Sequence, residues 1–83
     1  MKLTNAQAST LIQVARHGHS AQKAQVSALV AKGLVMTGHD YERREWGKVV
    51  GSCVTASLTK KGEEFLSENE DRLKAQRAEY VNA

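Results

Sequence analysis

Apolar residues recur along this chain in two rhythms, and the change between them locates the elements. Ala8, Leu11, Ile12 and Ala15 fall three, one and three apart, which is one stripe of an α-helix. Just ahead, Thr4-Asn5-Ala6-Gln7 forms a capping box, with Leu3 placed as a hydrophobic staple against Ala8. Gly18 follows Arg16 and His17, a glycine stop behind cations that suit the negative end of the helix dipole. The spacing predicts a helix over 4–17. A second helix is predicted over 20–32, capped by Ser20 and stopped by Gly33, with Val26, Leu29 and Val30 turned inward and Gln22 above them. Its other side carries Ala21, Ala24, Ala28 and Ala31. That side is either good helix former on a solvated face or a smooth surface for another helix.

After Gly33 the rhythm shortens to two. Leu34-Val35-Met36 opens one extended segment and Lys48 to Leu58 forms another. Pairing them as a hairpin with its tip near Trp46-Gly47 puts Leu34 opposite Leu58 and Met36 opposite Ala56. Val54 and Val50 then share that face, and Val49, Cys53, Thr55 and Ser57 take the other. The outer part, Gly38 to Lys48, is too polar for a core. Thr59 caps a last helix whose first turn carries Glu63 and Glu64, and whose Phe65 and Leu66 can pack back. Beyond them Leu66, Leu73 and Tyr80 repeat at seven, with Asn69 and Gln76 halfway. This seam is too short and polar for a coiled coil. The tail is then a fraying, solvated helix or an arm for a dimer or another partner.

A chain of 83 residues buries only about 60–65% of the surface its unfolded form exposes, so one marginal core is expected and no cleft between domains. Apolar content of 41% and charge content of 25% are ordinary for a globular protein. No apolar run approaches the roughly 18 residues of a membrane span, and the start has no apolar signal segment. The single cysteine, Cys53, cannot form an internal disulfide, which suits the cytoplasm. Net charge is +3, unevenly spread: residues 1–62 hold nine Lys or Arg against three acids, and residues 63–83 hold three against six. A basic body with an acidic tail fits a polyanionic partner, against the plainer reading of a solvated mixed-charge surface.

The two joints carry a resemblance. Leu29-Val30-Ala31-Lys32-Gly33-Leu34-Val35 and Leu58-Thr59-Lys60-Lys61-Gly62 are similar to the segments that lead into and out of the wing in winged-helix regulators of the MarR and PadR kind. The likeness covers roughly residues 3–66. It implies an α+β fold, a small winged helix of order helix–helix–β-hairpin–helix, mostly α with a two- or three-stranded antiparallel wing. Residues 1–66 would form that domain and residues 67–83 an extension of its last helix. Such families place two helices between the first helix and the Gly-Leu-Val joint, whereas Gly18 to Lys32 leaves room for one. The chain therefore resembles a reduced winged helix, its supporting helix absent or shrunk to a turn at His17-Gly18-His19.

The resemblance implies that helix 20–32 enters the major groove of double-stranded DNA while the wing touches backbone or minor groove. The residues suited to this are Gln22, Lys23, Gln25 and Ser27 on the helix, Arg43, Arg44 and Lys48 on the wing, and Lys60 and Lys61 at the last helix. Asp40, Glu42 and Glu45 dilute the wing's charge. This describes a small transcriptional regulator, with a homodimer formed through the C-terminal helix. The alternative is a winged helix turned to protein–protein interaction, an inhibitor or adaptor of a host protein of the sort phages and mobile elements encode. Tyr41 and Trp46 beside Arg43 and Arg44 supply hot-spot residue types, and Leu73 and Tyr80 would serve an interface along the tail. Trp46 would instead be structural if it folds back over the hairpin. His17, His19, His39 and Cys53 complete no metal-ligand set, and no catalytic motif stands out. No enzyme activity, cofactor or metal is expected.

Overall fold

The computed structural model describes residues 1–82. Its order is α1 (Asn5–His17), β1 (His19–Ser20), α2 (Lys23–Ala31), β2 (Val35–Glu45), β3 (Lys48–Leu58), α3 (Lys60–Glu68) and α4 (Glu70–Asn82). The strands form one antiparallel sheet in the order β1-β3-β2. This is an α+β architecture of four helices on a three-stranded sheet. No helix among the described residues is long and apolar enough to cross a membrane.

The predicted capping box is present. The Thr4 hydroxyl accepts from the Gln7 amide at 3.1 Å, and the Gln7 side chain accepts from the Thr4 amide at 3.1 Å. Gly18 stops the helix in the left-handed region, with φ 72°. The buried arc is Ala8, Thr10, Leu11, Ile12 and Val14, and Ala15 is exposed. Helix α1 lies against α2 and the sheet and also against α4, which turns Thr10 and Val14 inward.

Ser20 does not cap the second helix. The backbone from Gly18 to Ser20 pairs with β3, Ala56 donating to the Gly18 carbonyl at 2.9 Å. A two-residue strand, rather than a bare turn, thus follows α1. Ser20 is fully buried; its hydroxyl donates to Gln13 Oε1 at 2.8 Å and accepts from the Gln22 amide at 3.0 Å. Helix α2 consequently starts three residues later than expected, at Lys23, with Gln22 in the N-cap position and no side-chain cap. Val26 and Leu29 enter the core, whereas Val30 faces solvent.

At the far end, Gly33 (φ 75°) closes α2 in a Schellman motif, its amide donating to Val30 O and the Leu34 amide to Leu29 O. The start of α3 is bonded onto this joint. The Thr59 hydroxyl donates to Gly33 O at 2.6 Å and accepts from the Gly62 amide at 3.0 Å, and the Thr59 amide donates to Leu34 O at 3.0 Å. Gly62 is buried so close to Leu34 that a Cβ there would overlap the Leu34 carbonyl.

Because Leu34 bonds back to the helix, the strand begins at Val35, and the register lies one residue from the expected one. Val35 faces Leu58, Met36 faces Ser57 and Thr37 faces Ala56. A one-residue slip exchanges the faces of a strand: Val35 is buried and Met36 is exposed. Two bulges follow, at Gly38-His39 opposite Thr55 and at Val50 between the pairs Arg43–Gly51 and Arg44–Val49. The second bulge puts Val50 in solvent rather than on the core face.

The last helix is two helices. Asn69 breaks it, its side chain and its amide both donating to Phe65 O. α4 turns back along α1, Leu73 is completely buried with Leu3, Leu11 and Ile12, and the Gln76 amide donates to Leu3 O at 2.7 Å. Residues 67 and 68 complete α3, whereas α4 is a separate helix packed on α1 that gives Leu73 to the shared core; Ala83 lies outside the described residues.

Two outcomes check this packing. Leu73→Ala should lower unfolding free energy by about 2–5 kcal/mol in urea, as for a buried leucine, where a solvated tail would lose under about 0.5 kcal/mol. Thr59→Ala should cost about 1–2 kcal/mol, and Thr59→Ser should recover most of it because the hydroxyl is retained.

Candidate nucleic-acid interface

Helix α2 and the hairpin flank one groove of 490 Å³, with Lys23 and Ser27 on one wall and Thr37, His39 and Asp40 on the other. Of the helix residues singled out above, Gln22 and Ser27 are exposed, and Lys23 and Gln25 are half-buried. Lys23 is committed across the groove, its ammonium 3.4 Å from the Asp40 carboxylate. Ala21, Ala24 and Ala31 remain exposed, so donors on this helix are few and the surface around them is smooth.

Beyond Tyr41 the hairpin leaves the helices. Every residue from Met36 to Val50 is exposed, and the molecule measures 42 × 28 × 18 Å. Its radius of gyration of 13.0 Å exceeds the about 12 Å of a compact chain of this length. Within the hairpin Arg44 is held by Glu42 at 2.9 Å, while Arg43 and Lys48 make no ion pair among the described residues. Residues 40–48 carry three acids against three bases, so the tip has no net charge.

The aromatics divide. Tyr41 faces Cys53 across the strands, and its ring lies edge-on to His19 with centroids 6.5 Å apart. Partial desolvation there, together with the adjacent Cys53 thiol, holds the Tyr41 phenol above its ordinary pKa, with Arg43 acting the other way. Trp46 does not fold back: it is 98% exposed at the tip. The exposed Val49 and Val50 beside it extend the apolar surface. Sequence reasoning placed Val50 in the core and left both out of the site. The signal that could have found them is Gly51, since a glycine inside a strand marks a bulge.

The remaining candidates lie elsewhere. Lys60 is exposed, but Lys61 reaches back to donate to the Lys32 carbonyl at 3.0 Å and so belongs to the joint. Leu73 is buried in the core of its own chain and is not available to a partner surface; Tyr80 is exposed on α4. No group of three or more His, Cys, Asp or Glu among the described residues is placed to hold a metal ion. The chain matches no family model, no curated protein and no solved structure.

The Tyr41 environment has a measurable consequence. Raising the folded-state pKa favours the neutral phenol, so this contribution is present below the unfolded pKa and lost as pH climbs through the folded one. In a Tyr80→Phe background, ultraviolet titration should place the phenol's midpoint above 10.0, and Cys53→Ala should lower it. A midpoint at or below the ordinary value would contradict the arrangement.

Proposed function

We propose that the chain is a reduced winged helix that binds duplex DNA, with α2 presented to the major groove and the β2–β3 hairpin as its wing, in the manner of a small transcriptional regulator. The observation that carries this reading is the juxtaposition of a solvent-open helix with a protruding ribbon across a single groove. The families it resembles carry a supporting helix ahead of the reading helix; here β1 pairs with β3 and is followed directly by α2. Affinity comes chiefly from phosphate contacts by Arg43 and Lys48, which make no ion pair among the described residues, and base contacts fall to Gln22, Gln25 and Ser27.

A second reading rests on the wing's zero net charge and its exposed Tyr41, Trp46, Val49 and Val50. These suit a hot spot for a protein partner, which would make the chain a non-enzymatic adaptor or inhibitor.

Salt dependence separates the two. Binding to a short labelled duplex should weaken with salt, and Arg43→Ala or Lys48→Ala should each reduce the log–log slope by about 0.9. Arg44→Ala should change it less, because Glu42 already holds that guanidinium. Duplex affinity undetectable at low salt would refute DNA binding, and slopes indifferent to Arg43 and Lys48 would refute their phosphate contacts.

A further inference from the structure

We propose that Trp46 is a stacking wedge, an indole that the hairpin tip inserts into a deformable base step of duplex DNA. This deepens the reading of the hairpin as a DNA-contacting wing and rests on it. The hairpin turns through Trp46 and Gly47 with both residues at positive φ, 52° and 78°. Two-residue turns of this geometry favour asparagine, aspartate or glycine at the first position, and a bulky residue in the left-handed region is strained. A side chain at such a site ordinarily offsets the strain by packing. The Trp46 side chain packs on nothing, being 98% exposed. The fold thus carries an unfavourable backbone conformation and a large exposed apolar surface at one residue, and gains no contact from either. Strain that the surrounding structure holds without using is a mark of binding sites.

The chemistry around Trp46 indicates what it meets. Arg43 and Lys48, with no partner among the described residues, lie on the two strands that lead to the tip. They can hold phosphates on either side of an inserted ring. Net charge at the tip is nevertheless zero, so phosphate attraction alone would make a weak wing. Base–aromatic stacking supplies affinity that does not depend on charge and tolerates sequence, because every base has a π-face. Apolar wedges of this sort enter between base pairs and kink the duplex, most easily at pyrimidine–purine steps. The exposed Val49 and Val50 then lie against sugars rather than water.

Trp46 is the only tryptophan in the chain, so its emission reports on insertion directly. The full chain is titrated with a duplex carrying a central TA step and with an A-tract duplex of equal length, and anisotropy of a dye on the DNA follows binding independently. Quenched Trp46 emission is expected, stronger with the TA duplex. Trp46→Ala should weaken binding roughly 5- to 150-fold, and Trp46→Phe should retain most of it. Trp46→Asn, which suits the turn, should leave Tm no lower than that of the parent chain while binding as weakly as the alanine variant. A structural role would give the reverse, with stability lost and affinity kept. DNA binding by anisotropy with unchanged Trp46 emission and full affinity in Trp46→Ala would overturn the wedge and leave DNA binding standing. No anisotropy change with either duplex at low salt would overturn both.

Discussion

The Thr59 hydroxyl ties the chain's two ends of regular structure into one joint. It donates to the last turn of α2 at Gly33 and accepts from the first turn of α3 at Gly62, so one oxygen closes the exit of one helix and the entry of the next. The Thr59 amide adds a bond to Leu34 O, and Lys61 adds one to Lys32 O. Only a glycine at position 62 lets the Leu34 carbonyl lie so near. The direction of α2 and the base of the hairpin are therefore set together. The hairpin's register follows, because Leu34 is held in the helix stop and pairing must begin at Val35.

Farther out the hairpin depends on its own pairing. No helix covers it past Tyr41, and its two bulges fall at Gly38-His39 and at Val50 beside Gly51. The bulges offset one another in count, so pairing recovers at Glu45–Lys48 and the turn closes with two residues. The result is a rigid base carrying an arm with little buried surface and a strained aromatic tip. An arm of that design adds little to the stability of a small core. α4 works in the opposite sense. By laying Leu73 on α1 it enlarges the core that the sheet and α2 alone would leave thin.

What could be read from the chain was whatever local chemistry decides. Thr4 with Gln7, Gly18, Gly33 and Thr59 are caps and stops whose partners lie within a few residues, and each appears as expected. The choices made by distant partners were not legible. Ser20 looks like a helix cap until the open edge of β3 draws it into a strand. Met36 and Val35 exchange faces on a single hydrogen bond from Leu34. Leu73 reads as part of a heptad seam, and only the break at Asn69 aims it at α1. For the candidate interface, residue types pointed to Arg43, Arg44, Lys48, Tyr41 and Trp46. Which of them are committed, as Arg44 is to Glu42, and which stand free depended on side-chain placement that spacing does not contain.

The central claim is that α2 and the hairpin together form a surface for duplex DNA. Amide chemical-shift mapping with a short duplex tests it most directly, because it locates contact without presuming any residue's role. The account predicts perturbations concentrated in residues 22–28 and 40–50, with α4 silent. Perturbations gathered on α1 and α4, or none at low salt, would contradict it.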